Sequence, residues 1–314
     1  IDLRTGRLQP HRREDLITKL VPVEYDPKAV CPTWDRFLNR IMAGNGNLIG
    51  FLQRAVGYAL TGDTREQVLF LLYGTGANGK STFLETIRAL LGDYGRQADS
   101  STFLIRGQDR VPNDIAALVG ARFVSAVEAD ADRRLAEVLV KQLTGTDTIT
   151  ARFLYREFFE FRPTFKIWLA ANHKPVVRAT DYAMWRRIRL IPFNVTIPPE
   201  EQDRSLPAKL EAELPGILRW AVEGCIAWQR DGLGVPEEVR EATACYREEM
   251  DVLAGFLDDC CVINPLARAT AKELYEAYAG WCEGNGEKPL AKNIFGMRLA
   301  ERGFAHIRIG RDQI

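Results

Sequence analysis

Apolar and polar positions change their period several times along the chain, and each change marks an element. Residues 1–30 are polar and broken by prolines, a pattern that suits an extended arm. Between 33 and 60 the apolar residues Phe37, Ile41, Leu48, Phe51, Leu52, Val56 and Leu60 recur at helical spacing, which predicts short amphipathic helices. A continuous apolar run then covers residues 68–73 and reads as a buried strand, followed by a glycine-rich loop and another helical pattern. Residues 122–130, "RFVSAVEAD", predict a second buried strand ending in acids, and residues 133–143 a helix. The segment 149–173 is rich in aromatic and β-branched residues and predicts at least two strands, and "RRIRLIPFNVTIP" a further one. Residues 201–250 return to a helical stripe through Leu206, Leu210, Leu214, Ile217, Leu218, Ala221 and Ile226. The tail predicts helices over 252–261, 271–282 and 291–302, then an alternating strand in "GFAHIRIG", an order that suits a winged helix. The expected organisation is therefore an arm (1–30), a helical domain (31–66), an α/β core (67–200), a helical lid or linker (201–250) and a winged-helix-like domain (251–314).

Composition narrows the class. A chain of 314 residues exceeds the usual size of one hydrophobic core, so several domains are expected. Its 42 basic residues balance its 42 acidic ones, so any basic surface for nucleic acid must be local. No apolar run is long enough to cross a bilayer, and no secretory signal is present. The six cysteines form no Cys-x-x-Cys pair and only three histidines accompany them, which argues against a zinc site and for reduced thiols in a cytoplasmic protein. The chain opens on Ile1 in a charged stretch, so it reads as part of something longer.

The glycine-rich loop carries the strongest chemical signal. Gly74, Thr75, Gly76, Ala77, Asn78, Gly79, Lys80, Ser81 and Thr82 satisfy G-x-x-x-x-G-K-[ST] between a strand and a helix. Glycines let successive backbone N–H groups turn around phosphate oxygens, and the following helix offers its free N–H groups and positive dipole end. Lys80 suits the β/γ-phosphates of ATP, and the Ser81 hydroxyl suits Mg²⁺. Glu128 ends the second strand, with Asp130 two residues on. Acids there face the ligand crevice of an open α/β sheet and can hold the metal's water shell or polarise water. Glu128 is taken as the main acid and as a metal partner, and Asp130 as the second. Asn172 ends the strand "FKIWLAANH", where an amide can reach both a γ-phosphate and attacking water. Arg186 and Arg187 precede the strand "IRLIPF", and an arginine offered to a neighbouring subunit would stabilise transition-state charge.

Taken in order and spacing, "GTGANGKST", "VEAD…RRLAEVLVKQLTG", "ITARFLYREFFEFRPTFKIWLAANHKP" and "WRRIRLIPF" resemble the superfamily 3 helicases, above all the phage and plasmid primase–helicases with their poxvirus relatives. "FLQRAVGYALTGDTREQ" resembles their helical collar-side domain, and "ELYEAYAGWCEGNGEKPL…FGMRLAERGF" their C-terminal winged helix. The resemblance implies an AAA+-like P-loop ATPase core that assembles into rings, commonly hexamers, and translocates on single-stranded DNA, with a primase domain N-terminal to residue 1. It implies Walker A at Gly74 to Thr82, Walker B at Glu128 and Asp130, a sensor at Asn172, and Arg187 as arginine finger with Arg186 as second choice. The acids stand as Glu-x-Asp where the family has two adjacent acids, so which one activates water stays open. A pore hairpin is implied between the acid strand and Asn172. "ARFLYREFFEFRPTF" fits, with a turn near Tyr155, Arg156 and Glu157. Arg152, Tyr155 and Arg156 are its expected DNA contacts, and most of Phe153, Phe158, Phe159 and Phe161 are expected to pack. In the tail, Lys288, Lys292, Asn293, Arg298, Arg302 and Arg308 are candidates for a duplex or fork, with a protein-docking role as the other reading. Two rival functions stand beside the helicase: an ATP-dependent loader that remodels DNA complexes, and an origin-binding assembly protein without unwinding activity.

Overall fold

Apolar strands alternating with amphipathic helices can bury both faces of a sheet only if helices cover it, and the chain does this around five parallel strands. The computed structural model describes the chain except residues 106–112, 129–132, 180, 306 and 308–314. The strands are β1 (Leu69–Tyr73), β2 (Gly95–Gln97), β3 (Phe123–Glu128), β4 (Ile149–Ala151), β5 (Phe159–Phe161), β6 (Lys166–Ala171) and β7 (Ile188–Pro192). The helices of the same unit are α1 (Pro32–Ile41), α2 (Gly46–Ala59), α3 (Lys80–Leu91), α4 (Asn113–Ala116), α5 (Glu137–Leu143), α6 (Tyr182–Trp185), α7 (Leu206–Ala212), α8 (Leu214–Asp231) and α9 (Glu237–Glu249).

The main sheet runs β2-β3-β6-β1-β7, and every pair in it is parallel. β4 and β5 form a separate antiparallel hairpin between β3 and β6 in sequence. One face of the sheet presents Phe70, Leu72, Phe123, Trp168 and Ala170 to a core shared with α1, α2, α3 and α8. The rings interlock: Phe70 and Trp168 stack at 4.3 Å, and Trp34 of α1 stacks on Phe83 of α3 at 5.6 Å. The alternate residues, among them Leu71, Leu169 and Leu190, are buried as well, as two-sided coverage requires. α1 is capped from a distance, since the Glu213 carboxylate accepts from the N–H groups of Thr33 (2.9 Å) and Trp34 (3.0 Å) at its positive end.

The chain divides into two units, Ile1–Arg247 and Glu248–Ile314. The arm, the helical domain, the α/β core and the lid expected from sequence thus form one unit. The arm is held to it at Leu3, whose carbonyl accepts from Gln229 (2.7 Å), and at Leu20, whose N–H donates to Asp93 (3.0 Å). The second unit holds α10 (Val252–Cys260), α11 (Ala271–Gly284) and α12 (Lys292–Glu301) around Phe256, Tyr278 and Phe295. A Thr270–Glu273 capping box starts α11.

Three expectations change. β2 pairs with β3 at the sheet edge, but its three residues, Gly-Arg-Gln, carry no strand pattern. The helix expected over 133–143 begins only at Glu137, because Arg134 and Leu135 are used in bridges to Val176 and Leu104. In the tail the three helices form, whereas Phe304, Ala305 and Ile307 are not in a strand, and the rest of that expected strand lies outside the described residues. Among its described residues the unit consists of three helices.

Candidate nucleotide site

The ends of the parallel strands bring the candidate residues to one level. β6 lies between β3 and β1, with Ala171 opposite both Tyr73 and Glu128. Gly74 and Asn172, the next residues of β1 and β6, therefore emerge side by side. The loop then turns back through Gly76 (φ 119°), Ala77 (φ 47°) and Gly79 (φ 83°) into α3. Gly79 is doubly required. Its φ is left-handed, and a Cβ there would lie 2.6 Å from Ile41 and 3.1 Å from Phe37, so α1 roofs the loop.

The resulting cavity measures about 300 Å³ and is lined by residues 76–82 with Val127, Ala170 and Asn172. The first N–H groups of α3 lack helical acceptors and point at this end. Lys80 is 5 % exposed, and its ammonium donates to the Gly74 carbonyl (2.6 Å), Asn78 Oδ1 (3.0 Å) and Asn172 Oδ1 (3.1 Å). Burial pushes its pKa down from 10.5 to about 8, because the charged form loses water. Asn172 spends its oxygen on Lys80, which leaves its NH₂ for an acceptor. Ser81 is exposed on the first turn of α3. Asn78, by contrast, is only 4 % exposed.

The cradle fits a polyphosphate: a buried ammonium, uncovered helix N–H groups, an amide NH₂, and no side chain bulk at Gly76 or Gly79. For a cation the described part offers the Ser81 hydroxyl. The Glu128 side chain and all of Asp130 lie outside the described residues. Among the described residues no group of three or more His, Cys, Asp or Glu could hold a metal ion.

The two arginines differ. Arg187 is 8 % exposed; its Nε donates to Thr144 Oγ1 (3.1 Å) and its Nη1 to the Ala183 carbonyl. It ties the end of α5 to α6 and is buried in this chain. Arg186 is half-buried, with its guanidinium on the Gln67 side chain.

The hairpin forms where it was expected. Its tip carries Tyr155, 95 % exposed with φ 61°, and exposed Arg156. Arg152 is half-buried and lies over the Phe158 ring at 4.8 Å, and Phe153 stacks on Phe159 at 5.6 Å. Phe153 and Phe158 are 45 % and 59 % exposed, so their packing is within the hairpin and not in a core. In the second unit Lys292 is exposed and Arg298 pairs with Glu301 at 2.9 Å; Arg308 lies outside the described residues.

Sequence reasoning missed the segment 193–197, which follows β7 and straps the loop. The Phe193 N–H donates to the Tyr73 carbonyl (2.7 Å) and the Ile197 N–H to the Ala77 carbonyl (2.7 Å). Only the topology shows it, since β7 must first be placed beside β1.

Three family models match in order: D5 N terminal like over residues 1–43, a family of unknown function (DUF5906) over 72–187, and poxvirus D5 protein-like over 248–303. A protein named as a candidate helicase in Acanthamoeba polyphaga mimivirus is 29 % identical over 75 % of this chain and 27 % of its own length. One from Frog virus 3, also named as a candidate helicase, is 27 % identical over 79 % and 28 %. A protein named as a candidate primase in African swine fever virus is 22 % identical over 70 % and 25 %. The chain thus spans roughly a quarter of the length of these curated relatives. Among solved structures the apo C-terminal region of NrS-1 superposes with a TM-score of 0.57 at 14 % identity, over 83 % of this chain and 65 % of that one, a likeness of fold. The order of the family matches and the helicase and primase names of its viral relatives support a likeness of this chain to the D5-like primase–helicases.

Proposed function

We propose that this chain is the motor part of a superfamily 3 DNA helicase, an AAA+-like ATPase that forms rings, hexameric by the family resemblance, and moves along single-stranded DNA. The observation that carries the reading is the convergence of Lys80 and Asn172 at 3.1 Å beside the uncovered first turn of α3. A terminal phosphate placed there meets an ammonium, an amide and helix N–H groups together, which is the preorganised charge stabilisation that phosphoryl transfer uses.

ATP would be held by Gly74 to Thr82, with Lys80 on the β/γ-phosphates. Ser81 and Glu128 would hold Mg²⁺, which when bound supplies charge neutralisation across the phosphates. Glu128, with Asp130 as second acid, would orient or deprotonate water, and Asn172 would position it. A neighbouring copy would complete the site with an arginine. Arg186 is the better-presented of the pair, and Arg187 serves its own fold by holding Thr144 and Ala183. The hairpin tip with Arg152, Tyr155 and Arg156 would track the strand, cations on phosphates and rings on bases. Lys292 and Arg298 are proposed fork contacts.

The test is unwinding of a forked duplex. ATP should drive strand separation by the wild type and not by Lys80→Ala. ATP hydrolysis without strand separation would point instead to a loader or assembly ATPase and sink the helicase reading.

A further inference from the structure

Asn78 occupies the middle of the phosphate loop, yet its side chain turns inward. It is 4 % exposed and spans two partners. On one side its Oδ1 accepts from Lys80 Nζ at 3.0 Å; on the other its Nδ2 donates to the Phe193 carbonyl at 3.4 Å. The orientation of the amide is forced. An ammonium only donates and a carbonyl only accepts, so a flipped amide would oppose both. A second observation is independent of these bonds. A Cβ on Gly74 would lie 2.3 Å from Asn78 Nδ2 and 2.3 Å from the Phe193 carbonyl oxygen. The first glycine of the motif therefore leaves room for this amide. The same strap is fastened to the start of the loop at Tyr73 and to its middle at Ala77 by the Phe193 and Ile197 N–H groups.

We propose that the Asn78 side chain is a positioning group: its amide binds no phosphate, but fixes the Lys80 ammonium against the strap that follows β7. The inference rests on the nucleotide reading of the site and assigns within it a residue that the motif alone would count among the phosphate contacts. Asn78→Ala takes away an acceptor of the charged lysine and leaves the Phe193 carbonyl unpaired. Asn78→Asp keeps an acceptor facing Lys80 and adds a negative charge to it, while losing the donor to Phe193.

Both variants act on the site through Lys80, so their effect on nucleotide affinity should depend on that ammonium being present. Asn78→Ala should lower affinity roughly tenfold in the wild-type background, the size of one lost hydrogen bond to a charged group, and by no more than about twofold once Lys80 is already alanine. A residue that touched phosphate itself, or merely filled space, would cost the same in both backgrounds.

The experiment titrates a fluorescent ADP analogue into the full chain at one pH, for wild type, Asn78→Ala, Lys80→Ala and the double variant. Circular dichroism checks folding, and Asn78→Ser replaces Asn78→Ala if that variant fails to fold. A loss confined to the wild-type background supports the assignment. An equal loss in both backgrounds, in variants that fold, overturns it while leaving the nucleotide site intact. Undiminished binding by Lys80→Ala would overturn the nucleotide reading, and with it the ground on which the assignment stands.

Discussion

Asn172→Asp exchanges the amide NH₂ for an oxygen without changing the size of the side chain. Asn172 Oδ1 lies 3.1 Å from Lys80 Nζ, so the NH₂ is the half of the amide left for a ligand. In the empty protein the new carboxylate attracts the Lys80 ammonium and stabilises the unliganded arrangement. With a triphosphate bound, the same carboxylate faces the terminal phosphate. Two unit charges about 4 Å apart repel by about 4 kcal/mol at an effective dielectric near 20. Water in the open cavity and the shared ammonium reduce this, and about half is a reasonable remainder, ~2 kcal/mol or roughly 30-fold in affinity. ADP lacks the third phosphate, and its affinity should change by no more than about threefold. Isothermal calorimetry with a slowly hydrolysed ATP analogue and with ADP gives both numbers. Equal losses for the two nucleotides would show that Asn172 does not reach the third phosphate. No loss for either would remove the residue from the nucleotide's path.

Gly57→Ala tests the seam between α2 and α8: a Cβ at Gly57 would lie 2.1 Å from the Cys225 nitrogen and 2.3 Å from the Gly224 carbonyl carbon. Helix propensity alone favours Ala by about 1 kcal/mol, but backbone atoms cannot rotate aside, so an overpacking cost of about 1–3 kcal/mol should win and lower the melting temperature; an unchanged or higher value would refute the close approach. Lys80 also makes nucleotide binding pH-dependent, since polyphosphate favours the charged form and binding near pH 8 should take up a proton. Calorimetry in two buffers of different ionisation enthalpy reads that uptake, and its absence would contradict a depressed lysine. The same shift has a sign for folding: the unfolded chain, with a lysine near 10.5, binds more protons than the folded one above about pH 8, so this group makes the unliganded fold more stable as pH rises from about 8 to 10.5. At the hairpin, Tyr155→Ala should weaken single-stranded DNA binding by the ~1–3 kcal/mol of one stacked base, and Arg156→Ala should reduce the salt slope by about one charge in fluorescence anisotropy titrations. Unaltered binding by both would place the DNA elsewhere.

The parts legible in sequence are those fixed by local rules. The run at 68–73, the glycine loop and the helix after it could each be read alone, because strand burial, left-handed turns and helix N-termini leave compositional marks. The three tail helices were equally plain from their spacing. What depended on pairing was not visible. β2 is a strand because β3 lies beside it. Arg134 and Leu135 bridge Val176 and Leu104 where the pattern favoured a helix. Arg187 stands at the position that the family resemblance singles out, yet α5 and α6 close over it. Nothing in "RR" distinguishes the buried arginine from the half-buried one. Asn78 shows the same limit at the site: the motif admits almost any residue there, and only the placement of β7 beside β1 gives its amide a second partner.

The central claim is that nucleotide breakdown at Lys80 is coupled to a threaded strand. The most direct measurement is phosphate release from ATP by the full chain, with and without single-stranded DNA, over a range of protein concentrations and against Lys80→Ala. The account predicts turnover that rises with DNA, rises with concentration as copies complete each other's sites, and vanishes in Lys80→Ala. Full turnover at high dilution, indifferent to DNA, would contradict it.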